Sequence, residues 1–115
     1  MTDTLPLSER HRQMAELLIA LEKEMQRQQL WSAAPPSPEA MASVMPFMYD
    51  TLAFHQWLQW VFIPRTRALM EAGRTLPGNC HIHPLAEHEL ARQPMASSAA
   101  LLEVILRIDT VMNLP

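Results

Sequence analysis

The chain has 115 residues, of which 49% are hydrophobic and 18% are charged, and its formal net charge is −3 at pH 7 with histidine neutral. This length predicts one domain spanning residues 1–115, with frayed ends at 1–7 and 113–115. The negative charge argues against extensive binding to nucleic acid, which needs a basic surface. It leaves open a local basic patch formed by Arg65, Arg67 and Arg74.

The cysteine content and the lack of targeting segments indicate where in the cell the protein is located. A single cysteine, Cys80, rules out an intramolecular disulfide and fits a reducing environment. The N-terminal region lacks the basic segment, apolar run and cleavage site of a signal peptide. No apolar stretch approaches the roughly 18 residues of a membrane-spanning helix. We therefore expect a cytoplasmic protein that is not bound to a membrane.

The first predicted helix runs from about Glu9 to about Leu30. Ser8 is a suitable N-cap, and Glu9 interacts favourably with the positive end of the helix dipole. Apolar residues recur at intervals of three and four and form one stripe: Met14, Leu17, Leu18, Leu21 and Met25. The proline-rich segment 33–38 ends this helix.

A short second helix is predicted from Glu39 to Met45. Ser37 is placed to cap it, and Pro38 occupies a first helical position, where the missing backbone N–H does no harm. Pro46 ends it, because the residue before a proline avoids the helical region.

The third predicted helix begins near Asp50 or Thr51 and contains the most apolar stretch of the chain. Trp60 lies on a different face from the apolar residues at helical spacing, which are Phe54, Trp57, Leu58, Val61 and Phe62. Pro64 interrupts the pattern and removes a backbone hydrogen bond, so we expect a kink there or two abutting helices. Gly73 is a natural stop.

The rest of the chain predicts one short and one long helix. Pro84 opens a short helix from Leu85 to about Arg92, and Pro94 ends it. A serine at position 97 or 98 caps the last helix, whose apolar stripe is Leu101, Leu102, Ile105, Ile108, Val111 and Met112. Strand-like alternation is lacking, so the predicted fold is all-α: a bundle of three long and one or two short helices without a sheet.

Several segments resemble a known family. The stretches Pro46–Thr51, Trp57–Arg65, Leu76–Pro77 and Ile82–Glu87 are similar to the YqcC-like family of small bacterial proteins. The resemblance implies an all-helical bundle with no established biochemical activity and no catalytic residues. Genes of this family often lie beside that of a tRNA pseudouridine synthase, which implies that enzyme as a partner. The first helix, the proline-rich segment and the pair Cys80–His81 lie outside the resemblance.

Cys80, His81, His83 and His88 suggest a metal site, because zinc favours cysteine and histidine ligands. Their spacing matches no standard ligand pattern, and a second cysteine is missing, so a polar turn is the favoured interpretation. A nucleophilic Cys80 would need a neighbouring base or a helix N-terminus in the right geometry. Sequence adjacency does not supply that geometry, so we expect a structural thiol, no metal and no cofactor.

The candidate binding residues are Asp50, Trp60 and Arg65. Asp50 has a simple structural role as the cap of the third helix. Asp50 and Arg65 would lie about 22 Å apart in a straight helix, so a pair would require a second copy of the chain, and Asp50 could otherwise meet another arginine. Trp60 falls off the apolar stripe and Arg65 offers a planar donor fork, so both suit an interface. For Trp57 and Phe62 the core is favoured.

The leading functional hypothesis is a non-enzymatic helical interaction protein, accessory to a tRNA pseudouridine synthase, with a homodimer as an open alternative. The alternative function is a small-molecule-binding bundle with a pocket near Pro64. An enzyme using Asp50, Arg65 or His83 is the least favoured hypothesis. The sequence lacks the Gly-rich phosphate loops, the His-Glu-x-x-His zinc motif and the Gly-x-Ser-x-Gly hydrolase motif that would indicate common chemistries.

Overall fold

The computed structural model describes residues 7–91 and 99–114, and all regular structure within them is helical. The helices, in chain order, are α1 (Leu7–Arg27), α2 (Pro38–Met41), α3 (Phe54–Trp57), α4 (Ile63–Glu71), α5 (Ile82–Leu90) and α6 (Ala99–Met112). A 3₁₀ turn lies at Pro46–Met48, and a π-helical turn at Leu58–Phe62 joins α3 to α4. The prediction of an all-α bundle is confirmed for this part of the chain.

The core lies where α1 packs against α6 and α4, and where α5 packs against α6. The predicted stripes of the first and last helices supply most of its fully buried side chains: Met14, Leu18, Leu21, Met25, Leu101, Ile105 and Ile108. Because each such side chain contributes about 1.5–3 kcal/mol when buried, these two stripes account for much of the folding free energy. A smaller cluster of Met48, Leu52 and Val61 lies beside the main core.

α1 ends at Arg27, three residues before the expected Leu30, because Gln29 adopts a left-handed conformation with φ 61°. The Leu30 N–H then bonds the Met25 carbonyl at 2.8 Å, and the Gln29 N–H bonds the Gln26 carbonyl at 3.1 Å. This is the Schellman pattern, which normally uses glycine. The proline-rich segment therefore does not itself end the helix.

Replacing Gln29 with glycine should stabilise the protein by up to about 1 kcal/mol. Glycine adopts a positive φ without steric penalty, and this gain exceeds the extra backbone entropy lost on folding. Thermal unfolding of Gln29→Gly beside Gln28→Gly, the matched change one residue earlier, measures the effect. A Gln29→Gly variant that unfolds at a lower temperature than the parent would contradict the assignment.

The short helix α2 is capped as expected, since Ser37 Oγ accepts the Ala40 N–H at 3.1 Å and Pro38 occupies the first position. It ends at Met41, however, rather than at the predicted Met45. The expected start of the aromatic helix at Asp50 or Thr51 is also wrong. The helix begins at Phe54, where the Gln56 Oε1 accepts the Ala53 N–H at 2.8 Å.

The backbone stays helical from Phe54 to Glu71, so the expected division into two helices at Pro64 is absent. The irregularity takes the form of a π turn just before the proline, in which the Ile63 N–H bonds the carbonyl of Leu58, five residues earlier. The wider turn accommodates the segment around Pro64, which has no N–H to donate. Gly73, with φ 68°, ends the helix in a second Schellman pattern, as predicted.

Some predictions concern residues at the edges of the described ranges. The expected helix end at Arg92, the proline at 94 and the serine caps at 97 and 98 lie outside the described residues, as do 1–6 and 115. α5 begins at Ile82 rather than Leu85. Asn113, in the segment expected to fray, is hydrogen-bonded to Cys80.

Among the helices described, none combines the length and apolarity needed to span a bilayer.

Candidate functional site

An exposed loop at residues 44–49 has an unusual backbone. Phe47 (φ 56°, ψ 14°) and Met48 (φ 49°) are consecutive non-glycine residues in the left-handed region. Each such residue costs about 1–2 kcal/mol, which the surroundings must offset. Met48 is buried against Leu52 and Val61, and the Phe47 ring meets Trp57 edge-on with centroids 4.8 Å apart. These two anchors hold the loop in one conformation.

The same loop exposes apolar side chains to solvent. Val44 is 96% exposed, Tyr49 is 64% exposed and Met45 is 39% exposed. A groove of about 290 Å³ lies beside them, lined by Phe47, Tyr49, Leu52, Ala53, Phe54, Leu85 and Glu89. Exposed apolar side chains grouped in this way are typical of an interaction surface. This surface is not among the sequence predictions, because Val44 and Met45 were expected to lie in the second helix, which ends at Met41 instead.

Asp50 supports this loop and does not cap a helix. Its Oδ1 accepts a hydrogen bond from Ser43 Oγ at 2.5 Å, while Thr51 Oγ1 donates to the Ala40 carbonyl at 2.7 Å. Both bonds tie the loop to the segment around α2. Asp50 makes no ion pair with Arg65 within the described chain, so the structure does not bring these two candidate residues together.

The two candidate tryptophans occupy different environments. Trp57 is half-buried and lies against Phe47, Phe54 and Phe62, with centroid distances of 4.8, 6.4 and 5.5 Å. It contacts both the main core and the smaller cluster. Trp60 is also half-buried, and its Nε1 is inaccessible and has no hydrogen-bond partner. Part of the Trp60 ring therefore reaches the surface, but its polar edge does not.

Gln59, which the sequence analysis passed over, fixes the π turn to the rest of the protein. Its side chain is 5% exposed. Its Oε1 accepts the Ser32 N–H at 2.8 Å, and its Nε2 donates to the Ser32 carbonyl at 2.7 Å. A buried amide needs such partners, so this pair holds the segment after α1 against the aromatic helix. A single glutamine within the most apolar stretch of the chain is the sequence feature that indicates a buried amide with hydrogen-bond partners.

Arg65 is exposed on α4 at the edge of a groove of about 370 Å³. The groove is lined by Arg65, Ala68, Leu69, Ala72 and Arg74. It lies on the helix that begins beside Pro64, where the sequence predicted a pocket. The groove is open to solvent and mostly apolar between its two arginines, so its charges lie at the ends.

The region of Cys80 is held by Asp109 of α6 and by Asn113, which directly follows that helix. Asp109, which is 7% exposed, accepts the Ile82 N–H at 3.0 Å, the His83 N–H at 2.8 Å and the Cys80 thiol at 3.2 Å. Asn113 bonds both the N–H and the carbonyl of Cys80 at 2.7 Å. An aspartate at a helix N-terminus caps the free N–H groups and interacts favourably with the dipole. This explains why α5 begins at Ile82.

This arrangement makes Cys80 a structural thiol. Burial, then the hydrogen bond to Asp109 and its negative charge, raise the pKa of Cys80 from 9.0 to about 12. The nearby histidines are engaged locally: His83 Nδ1 lies 3.2 Å from Glu87, and His81 Nε2 lies 3.0 Å from Asn79. In the described part of the chain, no three His, Cys, Asp or Glu side chains form a cluster that could hold a metal.

Alkylation of Cys80 by iodoacetamide should be at least about tenfold slower than that of an exposed peptide cysteine at pH 8, because the thiolate is the nucleophile. The rate should keep rising above pH 9.0. The protonated Cys80 thiol favours the folded state, because its pKa is higher there than the ordinary value of 9.0. This contribution to the free energy of unfolding is fully present below pH 9.0 and is lost as the pH rises towards 12. Mass spectrometry of the native and urea-unfolded chains measures the rates. Equal rates in the two states would contradict this environment.

Comparison with known proteins places the chain among bacterial relatives. It is 44% identical over 78 residues to an uncharacterized protein of Haemophilus influenzae, across 68% of this chain and 74% of that protein. It is 39% identical over 74 residues to the uncharacterized protein YqcC of Escherichia coli, across 64% of this chain and 68% of that protein. A tRNA pseudouridine synthase C of Pectobacterium carotovorum is 38% identical over 68 residues, which are 59% of this chain and 18% of that protein.

A solved structure and a family model agree with these matches. The solution NMR structure of E. coli YqcC superposes with a TM-score of 0.79 at 32% identity, covering 90% of this chain and 87% of that one. A family model described as tRNA pseudouridine synthase C matches residues 13–111. The match spans every helix from α2 to α5 and most of α1 and α6, and the chain therefore belongs to the YqcC-like family.

Proposed function

We propose that this chain is a helical interaction module that assists a tRNA pseudouridine synthase in the cytoplasm. The observation that carries the proposal is the Pectobacterium relative named tRNA pseudouridine synthase C, in which the match to this chain makes up 18% of the length. A related segment is thus joined there to a much longer remainder. Covalent linkage raises the effective concentration of two modules, so segments that are joined in one protein are candidates to bind each other when separate.

The loop at 44–49 provides a suitable contact surface for such a partner. Val44, Met45 and Tyr49 project into solvent, and the anchored Phe47 and Met48 fix the backbone beneath them. A surface that is rigid before binding loses little conformational entropy on association. Asp50, proposed as a binding residue from the sequence, supports this surface through its bond to Ser43. Trp60 lies in the π turn that follows α3, between the loop and Arg65 along the chain.

In this proposal the chain supplies binding and the partner supplies the chemistry. The one cysteine is protonated and engaged by Asp109, which removes the most reactive nucleophile from consideration. Asp50 is bonded to Ser43, and His83 lies beside Glu87. Asp50, Arg65 and His83 were the residues considered for an enzyme. In the part of the chain that the structure describes, no hydrogen bond or ion pair joins any two of them.

Co-purification tests the proposal. The tagged chain is co-expressed with the tRNA pseudouridine synthase of the same bacterium, and the synthase retained on the affinity resin is quantified. We expect retention by the parent chain and a loss of about tenfold or more with Val44→Asp combined with Tyr49→Asp, because apolar contacts at an interface centre dominate affinity.

A matched control separates surface chemistry from folding. Ile19 on α1 is 49% exposed and lies outside the loop, so Ile19→Asp should retain the synthase. Circular dichroism confirms that all variants are folded. If the parent chain does not retain the synthase, the proposed function is wrong. If the parent chain retains the synthase and the loop variant retains it equally well, the loop is not the contact surface.

A further inference from the structure

Two exposed arginines differ from the others in the described chain because their guanidinium groups have no partner there. Arg12, Arg27, Arg67 and Arg107 each pair with a glutamate of the same or a neighbouring helix. Arg10 donates to the Leu114 carbonyl at 2.9 Å. Arg65 and Arg74 make no such contact, although the sequence has 12 acidic against 9 basic residues. Both line the groove on α4.

The surface between these arginines is a shallow apolar groove that is open to solvent. Ala68 and Ala72 form a low floor, and Leu69 is half-buried beside them. Arg65 and Ala72 are separated by about two helical turns, or about 10 Å along the axis. The groove therefore presents a positive charge at each end of a short apolar surface, a pattern that an acidic segment with aliphatic side chains would complement.

The far end of the groove is held in place by the backbone. The Arg74 N–H bonds the Leu69 carbonyl at 2.9 Å in the Schellman pattern that follows α4. The Arg74 carbonyl lies 2.9 Å from His11 Nε2 on α1, which fixes the turn to the bundle. The spacing of the two arginine Cα atoms is thus set before any partner arrives, which lowers the entropic penalty of binding.

We propose that the α4 groove binds an acidic, aliphatic segment of a partner protein, with one carboxylate meeting Arg65 and a second carboxylate meeting Arg74 at the other end of the groove. Arginine suits this role because its planar fork can bond a carboxylate with two parallel hydrogen bonds. RNA fits the groove less well. The floor consists of alanine and leucine and offers no aromatic ring for a base to stack on, and the negative net charge of the chain repels a phosphate backbone. The inference concerns a surface separate from the 44–49 loop and stands independently of the synthase.

Nuclear magnetic resonance of the ¹⁵N-labelled full chain tests the proposal. The probes are a helical peptide with two glutamates about seven residues apart and leucines between them, the same peptide with glutamine in place of glutamate, and a short single-stranded RNA. We expect the glutamate peptide to shift backbone amides in 65–74, with an affinity that falls as salt is raised. The glutamine peptide should bind about tenfold more weakly.

Variants decide whether the arginines are responsible. Arg65→Gln combined with Arg74→Gln should lose the glutamate-peptide shifts, whereas Arg107→Gln, which removes a paired surface arginine on α6, should keep them. The proposal is overturned if neither peptide shifts these amides, if the double variant binds as well as the parent chain, or if the RNA shifts these amides and the glutamate peptide does not.

Discussion

Replacing Trp57 with alanine should lower the free energy of unfolding by about 3 kcal/mol, the low end of the range for a fully buried tryptophan because this ring is half-buried. The ring contacts Phe47, Phe54 and Phe62, so its removal leaves a cavity bordered by three aromatic side chains. It also contacts both apolar clusters, so the loop at 44–49 loses one of its two anchors. Urea denaturation followed by circular dichroism measures the change.

The control for this substitution is Trp57→Phe. It keeps an aromatic ring against Phe47 and Phe62 and should cost about 1 kcal/mol, because only part of the volume is lost. A Trp57→Ala variant within about 0.5 kcal/mol of the parent would mean that the two clusters are not joined through this residue.

Replacing Asp109 with alanine should lower the free energy of unfolding by about 2–4 kcal/mol. The carboxylate accepts two backbone N–H groups at the start of α5 and the Cys80 thiol. Alanine would leave the buried Ile82 N–H and the partly buried His83 N–H without an acceptor. An unsatisfied buried group costs about 1–3 kcal/mol. Asp109→Asn should also destabilise, because one of its two acceptor atoms becomes a donor facing a donor.

Glu103 provides a matched control on the same helix. It is exposed and pairs with Arg107 four residues later, and such pairs contribute about 0.5 kcal/mol or less. Thermal unfolding of both variants measures the difference, and the Glu103→Ala midpoint should lie close to that of the parent chain. Asp109→Ala and Glu103→Ala with the same midpoint would contradict the capping role. Faster alkylation of Cys80 in Asp109→Ala would independently support it.

The parts of the fold that follow from local sequence were predictable. The stripes of α1 and α6 were visible because apolar spacing of three and four has one helical interpretation. Ser37 with Pro38, and Gly73, marked a helix start and a helix end because their conformational preferences are intrinsic. The end of α1 was predicted too late, since Gln29 gives no sign that it adopts the conformation of a glycine.

The features that depend on distant contacts were not predictable. Asp109 caps a helix that begins 27 residues earlier in the chain, and nothing local indicates that pairing. Met48 and Phe47 tolerate a left-handed backbone because Val61 and Trp57 stabilise their side chains. The π turn is a further example. Pro64 indicates that the helix is irregular, but whether it kinks, divides or widens into a π turn depends on the packing around it.

The candidate site illustrates the same distinction. Asp50, Trp60 and Arg65 were grouped by residue type, but the structure gives them separate neighbours. Asp50 bonds Ser43, and Arg65 lines the groove on α4. Their roles in binding stay predictions. The exposed loop at 44–49 was overlooked because exposure of Val44 and Tyr49 depends on how the chain folds around them.

Direct binding of this chain to a tRNA pseudouridine synthase can be measured by size-exclusion chromatography with light scattering. The sample is a mixture of the purified chain and the purified synthase of the same bacterium at micromolar concentration. We expect a complex whose mass is the sum of both proteins in a fixed ratio, and we expect its loss when Val44 and Tyr49 are both replaced by aspartate. Two separate peaks with the masses of the free proteins would show that the proposed function is wrong.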